Sequence, residues 1–246
     1  MIEPTHDRFV VGGSGQDTAA GGSSVSVRFE KLRLRGLTVN PIRIPPLRFI
    51  PQVISAAHPV VNPQVNGNGE QPHVGLVECV GCSFSDVVGV AAEAHLKLVD
   101  CKVQGSAAHG ISCAGRLELL RVEISGARNN GLRLSRGGSS SDAVLLGREP
   151  DRNGEATLVE CTVRDCRGSG VVVMRGACLT LQGGSVSGSG QHGVLAAGGK
   201  VVVGDRSEGG TTTSRSNGGH DWAKQMHVQA RGEIVGVKNS LQQIVS

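Results

Sequence analysis

The feature that most constrains this sequence is an internal repeat. A glycine followed by an aliphatic residue recurs at Gly89-Val90, Gly110-Ile111, Gly131-Leu132, Gly170-Val171 and Gly193-Val194, at separations of 21, 21, 39 and 23 residues. The longest step contains a Gly-, Ser- and charge-rich insertion over 137–155, and without it the period stays near one coil of a solenoid. Other landmarks keep phase. Alternating segments follow each pair: Leu96-Lys97-Leu98, Leu117-Glu118-Leu119, Leu179-Thr180-Leu181 and Val201-Val202-Val203. Next come Cys82-Ser83-Phe84, Cys101-Lys102-Val103, Val122-Glu123-Ile124, Cys161-Thr162-Val163 and Gly184-Ser185-Val186, and then a polar turn. Alternation puts the first and third residue of each triplet on one face and the middle one on the other. A single coil cannot bury its inward side chains, but stacked coils pair strand on strand and set like residues into ladders. The expectation is an all-β chain, one right-handed parallel β-helix of about 7–9 coils with three short strands per coil.

Composition agrees. The chain has 37 glycines, four Phe, one Trp and no Tyr, so its interior must be filled by Val, Leu, Ile, Ala and Cys. Cys82, Cys101 and Cys161 share one position in their coils and are expected to form an inward stack of small buried side chains. Seven cysteines with a lone Cys79-x-x-Cys82 make neither a disulfide framework nor a zinc site, and no metal is expected. The net charge of +4 is spread without basic runs, which argues against a nucleic-acid partner. No apolar stretch is long enough to span a bilayer, and Met1 to Asp7 lack the apolar core of a secretory signal. The expectation is therefore no membrane association and, by default, a cytoplasmic location.

The solenoid is expected to start with a coil built from Val25, Val27, Phe29, Leu32, Leu34, Leu37 and Val39. Residues 40–73 hold seven of the nine prolines, which cannot donate to a strand ladder, so they read as an excursion from it. Residues 205–219 read as a polar loop, after which Asp221-Trp222 replaces the Gly-aliphatic pair. Met226-x-Val228 and Ile234-Val235-x-Val237 read as the last coil, with the tail Leu241 to Val245 covering the open end.

The in-phase elements Cys82-Ser83-Phe84…Gly89-Val90, Cys101-Lys102-Val103…His109-Gly110-Ile111 and Cys161-Thr162-Val163…Ser169-Gly170-Val171 resemble the parallel β-helix repeats of the pectin-lyase-like superfamily. Val27-Arg28-Phe29-Glu30-Lys31-Leu32-Arg33-Leu34-Arg35-Gly36-Leu37 resembles its opening coils, and the likeness covers about two-thirds of the chain. The resemblance implies the fold but leaves the activity open among lyases, glycoside hydrolases, epimerases, phage tailspikes and non-catalytic binding domains. Of the polygalacturonase-like elements, Ala108-His109-Gly110 and Gln191-His192-Gly193 echo only Gly-His-Gly. Both occupy the recurring turn that elsewhere reads Asn129-Asn130-Gly131 and Ser169-Gly170, where His and Asn suit tight geometry. The pectate-lyase-like Arg-x-Pro-x-x-Arg is spelled by Arg43-Ile44-Pro45-Pro46-Leu47-Arg48, while the companion Trp-x-Asp-His element finds only His220-Asp221-Trp222, late and reversed. Under a lyase reading Arg43, Arg48 and Asp221 would be catalytic, with calcium as cofactor; otherwise no catalytic residue and no cofactor is expected.

Two groups remain. Asp100, Arg121 and Glu160 recur just before the Cys/Val position and would stack as an acid–Arg–acid row, by default a surface ion-pair row. His220, Asp221 and Trp222 with His227 combine the only Trp, an acid and two His after a Gly-rich loop; they are the candidate binding site, with a core-covering Trp as the alternative. The outward residues after the Gly-aliphatic pairs, Ala91, Ser112, Arg133, Val172 and Leu195, hold no carboxylate. The favoured function is a non-catalytic binding or scaffold module that presents a flat strand face and two insertion loops to a protein or polysaccharide. The alternatives are a polysaccharide lyase or glycoside hydrolase, and a structural component of a virion or other large assembly. Convergence of Arg43, Arg48, Asp221 or the Asp100/Glu160 row in space would favour the enzyme.

Overall fold

Short segments that alternate aliphatic and polar residues bury one side and solvate the other when extended, and they need a partner strand for every backbone N–H and C=O. The computed structural model describes residues 9–10, 25–34, 37–39, 60–61, 74–91, 94–136, 154–204, 212–227, 230–236 and 241–244. Among these, the strands lie in three sheets of nine, seven and ten, and no helix is present. The chain visits the sheets in fixed order. His95–Val99, Lys102–Gln104 and Ile111–Cys113 form one coil, and Arg116–Leu120, Glu123–Ser125 and Leu132–Leu134 form the next. Within the coils strands pair in parallel with their counterparts one coil before and after, with His95 opposite Arg116, Arg116 opposite Glu155 and Glu155 opposite Cys178; the short strands Phe9–Val10 and Ala230–Arg231 pair antiparallel. This is an all-β parallel β-helix. Seven coils carry all three strands, and Glu233–Val235 with Leu241–Ile244 begins another.

The register builds the core. Leu96, Leu117, Ala156, Leu179 and Val201 form one inward row, Val103, Ile124, Val163 and Val186 a second, and Ile111, Leu132, Val171 and Val194 a third. All are buried. Cys82, Cys101 and Cys161 do lie at one corner of this interior, with Leu32, Val122 and Thr212 in the same row. Their thiols are absorbed by the backbone: Cys101 Sγ donates to Val99 O at 3.2 Å and accepts from Cys82 N at 3.3 Å.

Each corner solves a different geometric problem. The first-to-second corner turns on one left-handed residue, with φ of 53° at Lys31, 53° at Asp100, 51° at Arg121 and 54° at Glu160. The second-to-third corner takes six residues in most coils, such as Gly105 to Gly110 and Gly126 to Gly131. Its last glycine faces inward between rungs, where a Cβ at Gly131 would lie 2.6 Å from Val163 Cγ1 and 2.7 Å from Gly170 O. The third-to-first corner varies in length. It takes two residues at Ala114-Gly115 and Gly198-Gly199, while both the segment after Val39 and the segment after Arg136 leave from it.

Several sequence expectations shift. Val88, not Val90, stands opposite Ile111, so Gly89 rather than Ala91 is the outward residue of that row. The reason is a shorter second-to-third corner in that coil, Ser85 to Val87, which places Gly89 inside the strand Val88–Val90. Within 40–73, Val60–Val61 joins the third sheet beside Leu37–Val39; residues 40–59 and 62–73 lie outside the described residues. Of 137–155, Glu155 already belongs to the strand Glu155–Val159, and 137–153 lie outside the description. Of 205–219, Thr213–Arg215 is a strand of the second sheet, Thr212 is buried with its hydroxyl on Gly183 O, and 216–219 belong to the corner that follows; 205–211 lie outside the described residues. Leu241–Ile244 adds a rung parallel to Trp222–Gln225 instead of folding across the end, and Val228 and Val237 lie outside the description.

Two alanine substitutions separate close approach from backbone conformation. Gly105 has φ of +64° and open space for 4 Å around the position a methyl would take, so Gly105→Ala meets only the left-handed penalty of about 1 kcal/mol. Gly131→Ala drives a methyl into the next rung and is expected to lose about 3 kcal/mol. Urea unfolding of both variants checks this, and equal losses would contradict the rung geometry.

Candidate functional site

The elements that end the recognisable repeat also hold the candidate site. Trp222 pairs with Val194 in register, which makes its side chain the next rung of the row Ile111, Leu132, Val171 and Val194. It is 5% exposed and belongs to the core. On the other side, the strand Leu241–Ile244 pairs with it in parallel, Trp222 opposite Leu241. Trp222 is therefore not placed to serve as a surface platform, and the alternative reading of a core-covering Trp describes it. Asp221 takes the place of the inward glycine. Its carboxylate accepts from Asn217 Nδ2 at 2.8 Å, and its carbonyl accepts from Ser214 Oγ at 2.7 Å, so polar side chains replace the aliphatic rung at this level. His220 stacks on His192, with ring centroids 5.4 Å apart and planes at 17°. His227 ends the strand Trp222–His227, five residues beyond Trp222, with its backbone paired to Ala230. Arg43 and Arg48 lie outside the described residues.

The Asp100, Arg121 and Glu160 row is real. Arg121 donates from Nε to Asp100 Oδ1 at 2.7 Å and from Nη2 to Oδ2 at 2.8 Å, a bidentate pair between successive coils. This hydrogen bonding holds the Asp100 carboxyl below the usual carboxylate range and the guanidinium above its ordinary value. Beside the row is a shallow open hollow of about 350 Å³, lined by Arg121, Val122, Glu123, Glu160, Thr162 and Arg164. Its acid Glu123 accepts from Arg164 Nε at 3.1 Å and Nη2 at 2.7 Å. Among the described residues no cluster of three His, Cys, Asp or Glu side chains is arranged to hold a metal ion.

The second-to-third corner carries a feature that the sequence alone shows only as turn chemistry. Its fifth position is His109, Asn130, Ser169, His192 and His220 in successive coils. Each of the first four accepts a hydrogen bond from the backbone N–H of the next: His109 Nδ1 from Asn130 at 3.4 Å, Asn130 Oδ1 from Ser169 at 2.9 Å, Ser169 Oγ from His192 at 3.4 Å, and His192 Nδ1 from His220 at 3.1 Å. The signal is present in the sequence, since Ala108-His109-Gly110, Asn129-Asn130-Gly131 and Gln191-His192-Gly193 sit in phase. What it lacks is the register that aims each side chain at the next coil. At the third position of the same corner stand Arg128 and Arg167, one coil apart and exposed.

Two expected outcomes follow from this geometry. Trp222→Ala removes a core ring and is expected to destabilise the fold by about 3–5 kcal/mol; a thermal or urea midpoint unchanged in that variant would place the ring outside the core. Burial lowers the pKa of His109, helped by the charge of Arg133, and burial lowers that of His192, helped by His220. The folded chain thus holds these protons less readily than the unfolded chain, whose histidines titrate near 6.5. Protonating Nδ1 would also cost the ladder an acceptor. The stability they contribute is present above that pH and is lost as the pH falls below it, through the lowered values of the folded chain. The melting temperature should fall between about pH 7.5 and about pH 5.5, and the fall should be smaller in a His109→Asn, His192→Asn variant. An identical pH dependence in the two proteins would remove the ladder from the explanation.

In comparisons with known proteins, no family model matches this sequence, and neither a curated protein nor a solved structure does.

Proposed function

We propose that this chain is a non-catalytic β-helix binding or scaffold module, a non-catalytic relative of the pectin-lyase-like superfamily, that offers flat strand faces and its insertion segments to a glycan or protein partner. The observation that carries this reading is the state of the carboxylates on the outer faces. Glu78 faces Arg28 at 3.0 Å and Lys97 at 3.0 Å, Glu118 faces His95 at 3.1 Å and Arg116 at 3.2 Å, and Glu233 faces Lys200 at 3.4 Å. Glycoside hydrolysis requires two carboxyl groups aimed at one sugar ring. Here each of these acids is aimed at a cation, a pattern that suits a repetitive, pre-formed recognition surface. No cofactor is invoked.

A polysaccharide-active enzyme is the second reading, and the hollow beside Arg121 favours it, because Glu123 and Glu160 line one concavity with two guanidinium groups. The deciding experiment is a glycan array together with a depolymerisation assay, each run with and without calcium. The binding module predicts saturable retention on a defined set of array glycans with no new reducing ends and no unsaturated product. Cleavage that is lost in Glu123→Gln or Glu160→Gln would replace the binding reading with the enzyme.

A further inference from the structure

The cations of this surface fall into two groups. Arg28, Arg116, Arg121 and Arg164 each meet a carboxylate within 3.2 Å. Arg128 and Arg167 meet none among the described residues, although they occupy the same position of the second-to-third corner in consecutive coils. Arg167 N donates to Ala127 O and the adjoining Gly168 N donates to Asn129 O, both at 2.9 Å, which fixes the two arginines one rung apart. A rung is roughly 4.8 Å. Like charges stacked at that spacing work against the fold instead of supporting it. Arg133, Arg175 and Arg215 also meet no carboxylate among the described residues, but Arg133 stands between Ser112 and Val172, and Arg215 stands opposite Ser187.

The polar ladder beside this pair has used up its acceptors. His109 Nδ1 and Asn130 Oδ1 are taken by backbone N–H groups of the following coil. The free polar atoms are consequently donors, Nε2–H of His109 and the Nδ2 amide of Asn130, both on half-buried side chains. Arg133, on the outer face of the third sheet, is near enough for its charge to act on His109. The carboxylates of this corner are engaged elsewhere: Asp86 accepts from Val87 N, Asp165 pairs with Arg164, and Asp221 accepts from Asn217. The corner of the fourth and fifth coils thus carries two guanidinium forks that meet no carboxylate among the described residues, with donors at His109 and Asn130 beside them and its own carboxylate, Asp165, tied to Arg164.

We propose that this corner binds a tetrahedral oxyanion, a sulfate or phosphate group, held by Arg128 and Arg167 with Asn130 and His109 as further donors. The shape of the donor set selects the anion. A carboxylate offers two oxygens in one plane and is satisfied by one guanidinium fork. A tetrahedral anion directs its oxygens away from a common centre, so forks on two rungs can share it while Asn130 reaches a third oxygen. The oxyanion is either free or an ester on a larger ligand. The inference rests on the binding-module reading and narrows its ligand to an anionic one.

Calorimetric titration of the full chain at constant ionic strength tests it, with sodium sulfate, a sulfated oligosaccharide and an unsulfated uronate oligosaccharide as the three probes. Saturable binding of sulfate or of the sulfated oligosaccharide is expected, weakened at least tenfold in Arg128→Gln and in Arg167→Gln and unchanged in Arg116→Gln, an arginine of the first sheet that already has a partner. Binding of sulfate alone as tightly as the sulfated chain identifies a free anion as the source; binding only of the sulfated chain identifies an ester. Because neither arginine has a carboxylate to lose among the described residues, the melting temperature of both variants at low salt should equal or exceed that of the parent, which separates lost binding from lost folding. The proposal is overturned if neither sulfate probe binds, if the uronate chain binds as tightly as the sulfated one, or if Arg116→Gln weakens binding as much as the corner variants do. Retention of a neutral array glycan that survives Arg128→Gln would sink this inference and leave the binding module standing, whereas cleavage of an array polymer would remove the binding module itself.

Discussion

Everything in this molecule depends on parallel, in-register pairing between successive coils. Each strand gives its N–H and C=O groups to the coils above and below, so a coil completes no sheet by itself. That pairing obliges side chains at equivalent positions to stand on one another. Inward rows are then mostly aliphatic, which is how a chain with one Trp and four Phe builds a continuous core chiefly from Leu, Ile, Val, Ala and Cys. The corners must repeat for the same reason. A left-handed residue is needed wherever the first sheet turns into the second, and the chain accepts Lys31, Asp100, Arg121 and Glu160 there, not only glycine.

The same pairing organises the polar surface. Stacking converts single residues into rows, so an acid, an arginine and an acid spaced far apart in sequence become neighbours at Asp100, Arg121 and Glu160. It also explains why His and Asn are useful in the six-residue corner. A side-chain acceptor at the fifth position can reach the backbone N–H one coil further on, satisfying a donor that the turn would otherwise leave to water. With the acceptor engaged along the solenoid, the polar atom left on the half-buried His109 and Asn130 is a donor, so the chemical character of that edge is set by a structural requirement.

Much of the fold was legible because period-two alternation and a recurring glycine are both direct consequences of the coil. The inward cysteines were legible for the same reason: equivalent positions in a repeat share an environment. The shift from Val90 to Val88 was not, because a corner shortened to Ser85–Val87 moves the strand without changing its composition. Trp222 was ambiguous because an isolated Trp after a Gly-rich stretch has the same local sequence whether it faces in or out; only its pairing with Val194 decides. Arg128 and Arg167 were hidden by the insertion between their coils. In sequence they are distant members of a scattered positive charge, and their adjacency exists only once Gly168 is paired to Asn129.

The buried thiols have a consequence for observing this protein at work. Cys79 and Cys82 lie in the second coil, Cys101 and Cys113 in the third, Cys161 and Cys166 in the fifth, and all six are closed off from solvent, while Cys178 in the sixth is partly open. Burial pushes the Cys113 thiol up to about 12 and that of Cys161 up to about 11, so neither is a nucleophile while its coil stays closed. The chain therefore carries its own spatially graded set of alkylation reporters. Mass-resolved labelling over time would read which end of the solenoid frays first, coil by coil, in the unmodified protein.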